Sequence, residues 1–427
     1  MYLELLLLAI ALVGHLAISA TLLSQTLATA MPLWANKILE RGVQCWMALA
    51  PFAVIAWGTR HPLYWDASAD WQRLPPVLAI YLLGCLVAGP LFAIVTIWRK
   101  LTSSVPSVWR STSQCTVDIR SEFPTPPVRG AVRRALTYLP GNGVLSIDRN
   151  EKVLEVPRLD RRLHGLTIAH FSDLHLEGTV DKAYFRYAVE IIQEMQADLV
   201  ALTGDIVDRA EQIDWLPEIF APLRTHGRAY FILGNHDLKA RDLAKVRRVL
   251  TEAGLQDLGG LWKEIQIRGQ SVVIAGDELP WIPPAVDLSK CPPASSRGGP
   301  LRILVAHTPD RYRWARSQEF DLMLAGHTHG GQVCLPGIGP VVSPCRQGVR
   351  YAAGLFYEPP TILHVSRGLS ETFPVRLGCP PELTRLVLHA RLCGADHSEA
   401  GAQVPVHNCA DRDDSEAFSA VTVPDEQ

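Results

Sequence analysis

Charged residues are missing from long stretches near the N-terminus. Leu5–Leu23 contains no Asp, Glu, Lys or Arg and predicts a membrane-spanning helix. Leu74–Trp98 is a second uncharged stretch, and Gly42–Thr59 is a shorter one interrupted by Pro51. A span needs about 20 mainly apolar residues. The pattern predicts a transmembrane region over residues 1–100 with two helices, or three in the alternative count. The competing interpretation is a buried helical hairpin of a soluble protein.

Basic residues follow the last of these stretches. Arg99 and Lys100 come directly after Trp98, and several further arginines follow before residue 135. Positive residues close to the ends of spans favour the cytoplasmic side of a membrane. We therefore expect a multi-pass protein of the cell membrane whose C-terminal part lies in the cytoplasm.

Beyond this region the chain changes to alternating strands and helices. Residues 101–160 are rich in Pro, Ser and Arg and predict a linker with a leading hairpin, in which Val153–Leu159 forms an edge strand. From Leu166 short apolar runs alternate with helical segments, which is typical of a largely parallel sheet covered on both faces. We assign residues 161–391 to one domain. Residues 392–427 are acidic with little apolar content and predict a disordered acidic tail.

Six strands and four helices are predicted within this domain. The predicted strands are Leu166–Phe171, Leu199–Leu202, Tyr230–Leu233, Val272–Ala275, Ile303–Ala306 and Leu322–Ala325. The predicted helices are Asp181–Gln196, Trp215–Leu223, Ala240–Ala253 and Pro309–Arg316.

Composition narrows the possible functions. The chain of 427 residues has a net charge of −2, whereas nucleic-acid-binding proteins normally carry a basic excess. The nine cysteines are odd in number and include no Cys-x-x-Cys pair, which argues against a disulfide framework. We therefore expect no nucleic-acid partner and a reducing compartment.

Polar clusters follow five of the predicted strands at the point where each strand ends. They are Asp173-Leu174-His175, Gly204-Asp205-Ile206-Val207-Asp208, Gly234-Asn235-His236-Asp237, His307 and Gly326-His327-Thr328-His329. Because ligands of an open α/β sheet bind beyond the carboxyl ends of its strands, we expect five ends of one sheet to converge on one site. Carboxylate, imidazole and amide oxygen donors without thiolate suit Mn, Fe or Zn. The clusters together predict a two-metal hydrolase site.

These clusters follow the pattern D-x-H, G-D-x-x-D, G-N-H-[DE], a lone His and G-H-x-H. In this pattern residues 166–389 resemble the calcineurin-like metallophosphoesterase superfamily. The resemblance implies an α/β four-layer sandwich of two mixed β-sheets flanked by helices. It also implies two divalent metal ions, for which we expect Mn²⁺, with Fe or Zn as alternatives. Later segments, Gly330-Gly331-Gln332, Val365-Ser366-Arg367-Gly368 and Pro380-Pro381-Glu382-Leu383, are similar to the bacterial membrane-associated phosphodiesterase subgroup.

The resemblance assigns roles to the cluster residues. The first metal would be bound by Asp173, His175 and His329, the second by Asn235, His307 and His327, and both by a bridging Asp205. His236 would be the catalytic residue, which either protonates the leaving oxygen or stabilises developing charge. Asp208 or Asp237 would orient His236, and Arg209 would contact phosphate. Arg367 would end a strand near the site and either support the ligands or contact phosphate. Ordinary structural roles are the alternative for both arginines.

The predicted function is hydrolysis of a phosphodiester, phosphomonoester or pyrophosphate bond by metal-activated water. The membrane region favours a lipid-linked phosphate ester as substrate, because tethering raises its local concentration. A protein phosphatase, or a catalytically inactive scaffold on the same fold, is the alternative. A nuclease fits less well, since the chain has no basic stripe. Cys334, close after the last cluster, is expected to be a buried structural thiol.

Overall fold

The computed structural model describes residues 2–60, 75–102, 105–294, 299–371, 373–391 and 406–408. The chain divides into two units. The first unit comprises Met1–Ser104 together with Gly337–Arg350. The second comprises Val105–Pro336 together with Tyr351–Gln427.

Three long helices make up most of the first unit. They are α1 (Tyr2–Ala28), α2 (Leu33–Arg60) and α3 (Pro76–Thr102). Among the described residues, Leu5–Ala28 and Pro76–Thr102 form helices long and apolar enough to cross a membrane. The helix α2 covers the third predicted stretch, but it also contains Lys37, Glu40 and Arg41. Residues 61–74, which connect α2 and α3, lie outside the described residues.

The segment Gly337–Arg350 packs within this first unit. The amide of Ser343 donates to Ser24 Oγ at 3.2 Å, and Gln25 Nε2 donates to Arg346 O at 2.8 Å. A stretch far along the sequence is therefore hydrogen-bonded to the last turns of α1, a relationship that no local pattern in the sequence indicates.

The first sheet of the second unit is mixed and has eight strands. They are β1 (Trp109–Asp118), β2 (Ser146–Val156), β3 (Leu166–Phe171), β4 (Leu199–Thr203), β5 (Ala229–Ile232), β6 (Gln256–Asp257), β15 (Glu382–Ala390) and β16 (Val406–Asn408). Their order is β16-β1-β2-β15-β3-β4-β5-β6. The strands β3 to β6 are parallel to one another, and β15 runs antiparallel to β3.

The second sheet is also mixed and has six strands. They are β7 (Trp262–Ile267), β8 (Gln270–Asp277), β9 (Leu301–Ala306), β10 (Leu322–Ala325), β13 (Gly354–Glu358) and β14 (Thr361–Val365), in the order β13-β14-β10-β9-β8-β7. Two further short strands are β11 (Cys334–Leu335) and β12 (Gly339–Pro340). The remaining helices are α4 (Ile119–Glu122), α5 (Ala131–Leu136), α6 (Lys182–Glu194), α7 (Leu216–Ile219), α8 (Leu243–Glu252) and α9 (Tyr312–Ser317).

The second unit has four layers, in which the two sheets pack face to face and helices cover their outer faces. One face of α6 buries Phe185, Val189 and Ile192 in the core that it forms with α7, α8 and the first sheet. The two sheets share a second apolar core that includes Ile168, Ile274 and Leu324. On the far face, α9 is fixed by Tyr312, whose hydroxyl donates to Thr361 O at 2.8 Å. The predicted four-layer sandwich is confirmed.

A short polar chain crosses the apolar layer between the two sheets. Lys152 Nζ of β2 lies 3.0 Å from His364 Nε2 of β14. The Nδ1 atoms of His364 and His170 are hydrogen-bonded at 2.7 Å, and His170 Nε2 lies 3.1 Å from Thr203 Oγ1. These buried groups satisfy one another, as polar groups in a protein interior normally do.

The N-terminal part of the second unit contains the paired strands β1 and β2. Where a linker and a leading hairpin were predicted over residues 101–160, β1 and β2 form an antiparallel pair inside the eight-stranded sheet. Of the predicted edge strand Val153–Leu159, only the first four residues belong to a strand, and that strand, β2, lies between β1 and β15 rather than at an edge. The buried polar residues Asn150 and Lys152 broke the apolar pattern of β2. In the predicted tail, Val406–Asn408 pairs with β1, and the rest of 392–427 lies outside the described residues.

Candidate metal centre

The five polar clusters come together at one end of the two sheets. Asp173 follows β3, Asp205 follows β4 and Asn235 follows β5, all in the eight-stranded sheet. His307 and His327 instead follow β9 and β10 of the six-stranded sheet. The expectation that one sheet supplies all five ends was therefore wrong. The carboxyl ends of parallel strands from both sheets meet here because the sheets pack face to face.

Most of the predicted ligands have a left-handed backbone. Residues with positive φ include Asp173 (55°), His175 (48°), Asp205 (52°), His327 (70°) and His329 (49°). This region is uncommon for residues other than glycine, and such strain concentrates at functional sites. The turns therefore hold these residues in an unfavourable backbone conformation that points their side chains inward.

Two glycines make room for the ligands. A Cβ on Gly234 would lie 2.3 Å from Asp205 Oδ1, and a Cβ on Gly326 would lie 1.9 Å from Ser172 Oγ. Any side chain at either position would displace the turn that carries Asn235 or His327. The glycines of these motifs are thus explained by close approach of the neighbouring strand end.

Asp173, His175 and His329 form one group of potential metal ligands. The Nε2 atoms of His175 and His329 lie 3.0 Å apart, and His329 Nε2 lies 3.7 Å from Asp173 Oδ1. All three donors were predicted to share the first metal. The structure brings them together from β3 and from the turn after β10.

Asp205, His307 and His327 form a second group. His307 Nε2 lies 3.3 Å from Asp205 Oδ2 and 3.0 Å from Asn235 Oδ1, so the predicted amide ligand is in the same place. The same oxygen of Asp205 lies 3.8 Å from His175 Nε2 in the first group. One carboxylate therefore reaches both groups, as a bridging ligand must.

The donors present fit two divalent ions. Among the described residues, His327 Nε2 is buried without a hydrogen-bond partner, which is rare for an imidazole nitrogen. Two carboxylates, four imidazoles and one amide oxygen are the donor types that Mn, Fe and Zn accept. Burial opposes the charge on His307, but the adjacent Asp205 carboxylate outweighs it and raises the pKa of His307 to about 9. Buried anionic charge at this position favours a cation.

Asp208 and Asp237 have different roles, whereas the sequence left open which of them orients His236. Asp208 accepts hydrogen bonds from Nδ1 of His175 and Nδ1 of His236, both at 2.9 Å. Asp237 instead accepts from backbone amides, those of Ile206, Val207 and Gly234 at 2.7–3.0 Å. Asp208 thus orients both imidazoles, whereas Asp237 holds the turns after β4 and β5.

The two predicted arginines have different surroundings. Arg209 is exposed beside Asp208. The guanidinium of Arg367 donates to Glu382 Oε2 at 3.0 Å and to Asp148 Oδ2 at 2.8 Å, both buried carboxylates. These bonds explain the position of the Arg367 side chain without a phosphate. Contact with phosphate therefore stays a prediction for both arginines.

Three residues near the centre were missed from the sequence. Arg376 is fully buried, paired with Glu371, and its NH2 lies 3.4 Å from His329 Nδ1. The ring of Trp281 lies 4.7 Å from that of His327 and 5.6 Å from that of His307. Lys239 Nζ donates to Asp208 Oδ2 at 2.8 Å. None of the three lies in a ligand cluster. Only Lys239 could have been suspected from the sequence, because it stands three residues after His236.

A sandwich of two mixed sheets, with two candidate ligand groups that one carboxylate reaches, is the arrangement of a metal-dependent phosphoester hydrolase. Residues 166–331 match the calcineurin-like phosphoesterase family. The chain is 30% identical over 225 residues to phosphodiesterase YaeI of Escherichia coli, a match that covers 52% of this chain and 81% of that protein. The chain belongs to the calcineurin-like phosphoesterase family and is a metal-dependent phosphoester hydrolase. The family uses a dinuclear divalent metal centre.

Two further relatives extend this comparison. An uncharacterised metallophosphoesterase of Bacillus subtilis, YkuE, is 29% identical over 250 residues, covering 57% of this chain and 85% of that one. A Danio rerio transmembrane protein with metallophosphoesterase domain is 26% identical over 265 residues, covering 58% of this chain and 59% of that one. The name of this last relative combines a transmembrane protein with a metallophosphoesterase domain.

Proposed function

We propose that the chain is a membrane-anchored enzyme that hydrolyses phosphodiester, phosphomonoester or pyrophosphate bonds at two metal ions. The position of Asp205 carries the proposal. Its Oδ2 lies 3.3 Å from His307 Nε2 and 3.8 Å from His175 Nε2, so one carboxylate serves both ligand groups. A single-metal site or an inactive scaffold has no need of this shared carboxylate.

The ligand assignment follows the two groups. Asp173, His175 and His329 bind the first ion, Asn235, His307 and His327 bind the second, and Asp205 bridges them. Mn²⁺ is the expected metal. When bound, two divalent cations activate water and neutralise charge on the phosphate that is attacked.

His236 supplies the proton in this proposal. Its side chain is 26% exposed, whereas that of His175 is 1% exposed, so His236 faces the space that a substrate would occupy. Asp208 holds Nδ1 of His236 and fixes the direction of the ring. His236 then donates a proton to the oxygen that leaves, which is typical of histidine acting as a general acid.

The helices α1 and α3 support a membrane anchor. A core helix of a soluble protein would be mostly buried, whereas 28% of the apolar segment of α1 and 11% of that of α3 are buried. Arg99 and Lys100 in the last turn of α3 favour a cytoplasmic catalytic part. A membrane anchor favours a lipid-linked phosphate ester, because confinement to the same membrane raises its effective concentration.

Hydrolysis of a substrate panel by the full-length protein tests the catalytic proposal. Purified protein with added Mn²⁺ is assayed on bis-p-nitrophenyl phosphate, nucleotides, phospholipids and lipid-linked sugar nucleotides. We expect metal-dependent hydrolysis, fastest with a lipid-linked ester. Bound metal without hydrolysis of any phosphate ester would contradict the proposed activity.

Extraction of membranes tests the anchor separately. We expect the protein to stay in the membrane fraction after an alkaline carbonate wash and to be released by detergent. Protease added outside right-side-out vesicles should leave residues 161–391 intact. Release by carbonate, or cleavage of the catalytic part from outside, would contradict the anchor or its orientation respectively.

A further inference from the structure

Two cysteines lie side by side behind the turn that carries His329. Cys334 N donates to Leu377 O at 2.8 Å, and Leu377 N donates to Gln332 O at 3.1 Å, so the two segments pair like strands. A Cβ on Gly378, the residue before Cys379, would lie 3.4 Å from Cys334 Cβ, so the two cysteines occupy adjoining positions of these segments. Both cysteines are free thiols in this structure.

Each of these thiols also contacts the backbone of the ligand turn. Cys379 Sγ lies 3.2 Å from His329 O, and Cys334 Sγ lies 3.4 Å from Gly330 O. Gly330 has a φ of 63°, and a Cβ there would lie 2.2 Å from Cys379 Sγ. The sulfur atoms therefore pack directly under the turn that positions a predicted ligand of the first metal.

The two thiols differ in exposure. Cys379 is buried with 2% of its surface exposed, whereas Cys334 is half-buried. An oxidant from solvent therefore reaches Cys334 first, and Cys379 is the neighbouring thiol that can resolve the product. Redox-sensing cysteines combine thiolate character, access to solvent and often an adjacent resolving thiol, and this pair has the last two features.

We propose that Cys334 and Cys379 form an oxidative modification site, at which a peroxide converts the thiol pair to a disulfide that loosens His329. Peroxide oxidises the Cys334 thiol to a sulfenic acid and is itself reduced to water. The sulfur of Cys379 then attacks the Cys334 sulfur, an S–S bond forms, and the hydroxyl leaves with the Cys379 proton as a second water. The net change is two thiols and one peroxide to one disulfide and two waters.

Formation of the disulfide removes both S–H donors from the ligand turn. The carbonyls of His329 and Gly330 lose these contacts, and the sulfurs move toward each other and away from the turn. Groups that support a metal ligand typically change metal affinity or activity by about 10–100-fold when they are lost. The expected consequence, weaker binding of the first metal and slower hydrolysis, rests on the proposed function. The disulfide itself does not.

Oxidation of the full-length protein tests the site. Protein purified in detergent under reducing conditions and loaded with Mn²⁺ is treated with hydrogen peroxide, then split into three samples. One is digested without reduction for peptide mapping, one is assayed for Mn²⁺ content, and one for hydrolysis of bis-p-nitrophenyl phosphate before and after dithiothreitol. We expect a Cys334–Cys379 peptide, Mn²⁺ loss and about tenfold slower hydrolysis, all reversed by dithiothreitol.

Serine variants provide the controls. Cys334→Ser, which keeps a hydroxyl donor for Gly330 O, should retain activity when reduced and lose its sensitivity to peroxide. The matched variants Cys115→Ser and Cys291→Ser, and a Cys393→Ser/Cys409→Ser double variant, should remain as sensitive as the natural chain. Equal sensitivity of Cys334→Ser would overturn the proposal.

Two other outcomes are also decisive. A treated protein without the Cys334–Cys379 peptide overturns the modification site, and the peptide without any loss of Mn²⁺ overturns its effect on His329. If the reduced protein hydrolyses no phosphate ester, the proposed function fails. Peptide mapping and Mn²⁺ content still decide whether the thiol pair acts as proposed.

Discussion

Asp208 Oδ1 accepts a hydrogen bond from His175 Nδ1 at 2.9 Å. The second oxygen of Asp208 lies 2.9 Å from His236 Nδ1. Burial raises the pKa of Asp208, but His236 and His175 outweigh it and hold that pKa well below its usual range. An ionised carboxylate thus fixes a predicted metal ligand and the predicted proton donor together.

Replacing Asp208 tests this double role. Asp208→Asn turns one acceptor into an amide donor, so one imidazole loses its partner. We expect kcat/KM to fall by about 10–100-fold, with less metal bound, because groups that orient ligands have effects of this size. Steady-state kinetics and metal analysis provide the measurements. Asp214→Asn is the control, since the Asp214 side chain is 75% exposed, and it should behave like the natural chain.

His236→Ala separates proton transfer from metal binding. Since general acid–base catalysis contributes about 10²–10⁴-fold, turnover should fall by that amount. His236 is not an assigned ligand, so metal content should stay at about two ions per chain. Undiminished turnover in the variant would show that His236 has another role.

Metal removal and the bridging carboxylate form a third test. A chelator should abolish hydrolysis, and added Mn²⁺ should restore it. Asp205→Asn should reduce the content of both ions, because Asp205 reaches both ligand groups, whereas His327→Ala should reduce only one. Elemental analysis per chain distinguishes these results. Equal metal loss in the two variants would argue against the bridging assignment.

The buried pair of Arg376 and Glu371 predicts a large stability effect. Arg376→Met leaves the Glu371 carboxylate buried without its partner, which costs about 3–5 kcal/mol of the free energy of unfolding. Adding Glu371→Gln should recover part of that loss. Arg186→Met is the control, because its pair with Glu190 is exposed on both sides and should contribute at most about 1 kcal/mol. Denaturant unfolding of the detergent-purified protein measures each difference.

His170 predicts a dependence of stability on pH. Burial lowers the pKa of His170 to about 3, while the pKa of an unfolded histidine is about 6.5. Between these values the unfolded chain binds a proton that the folded chain does not, so acidification from neutral pH destabilises the fold. The slope contributed by one group is at most about 1.4 kcal/mol per pH unit.

The comparison of His170→Gln with the natural chain isolates this contribution. We expect the free energy of unfolding of His170→Gln to fall less steeply between pH 7 and pH 5. His226→Gln, which removes an imidazole outside the chain of Lys152, His364 and His170, serves as the control. The same slope in the natural chain and in His170→Gln would contradict the assignment.

Strand positions were predictable where a run of apolar residues was continuous. The strands β3, β4, β5, β8, β9 and β10 all coincide with predicted runs, since they are buried on both faces. β2 was misassigned because Asp148, Asn150 and Lys152 face inward as polar residues. Their ion pairs and hydrogen bonds come from β1, β14, β15 and Arg367, all partners distant in sequence, so only the folded chain makes their burial favourable.

The sequence by itself determined which side chains come together at the candidate metal centre, because metal binding requires particular residue types and these residues stand just after predicted strands. Tertiary structure alone decided that these strands belong to two sheets, and that Asp208 rather than Asp237 holds His236. It also decided that Arg376 and the Cys334–Cys379 pair lie against the turn of His329. Such relationships depend on distances between segments far apart in the chain, which packing sets and local sequence patterns do not contain.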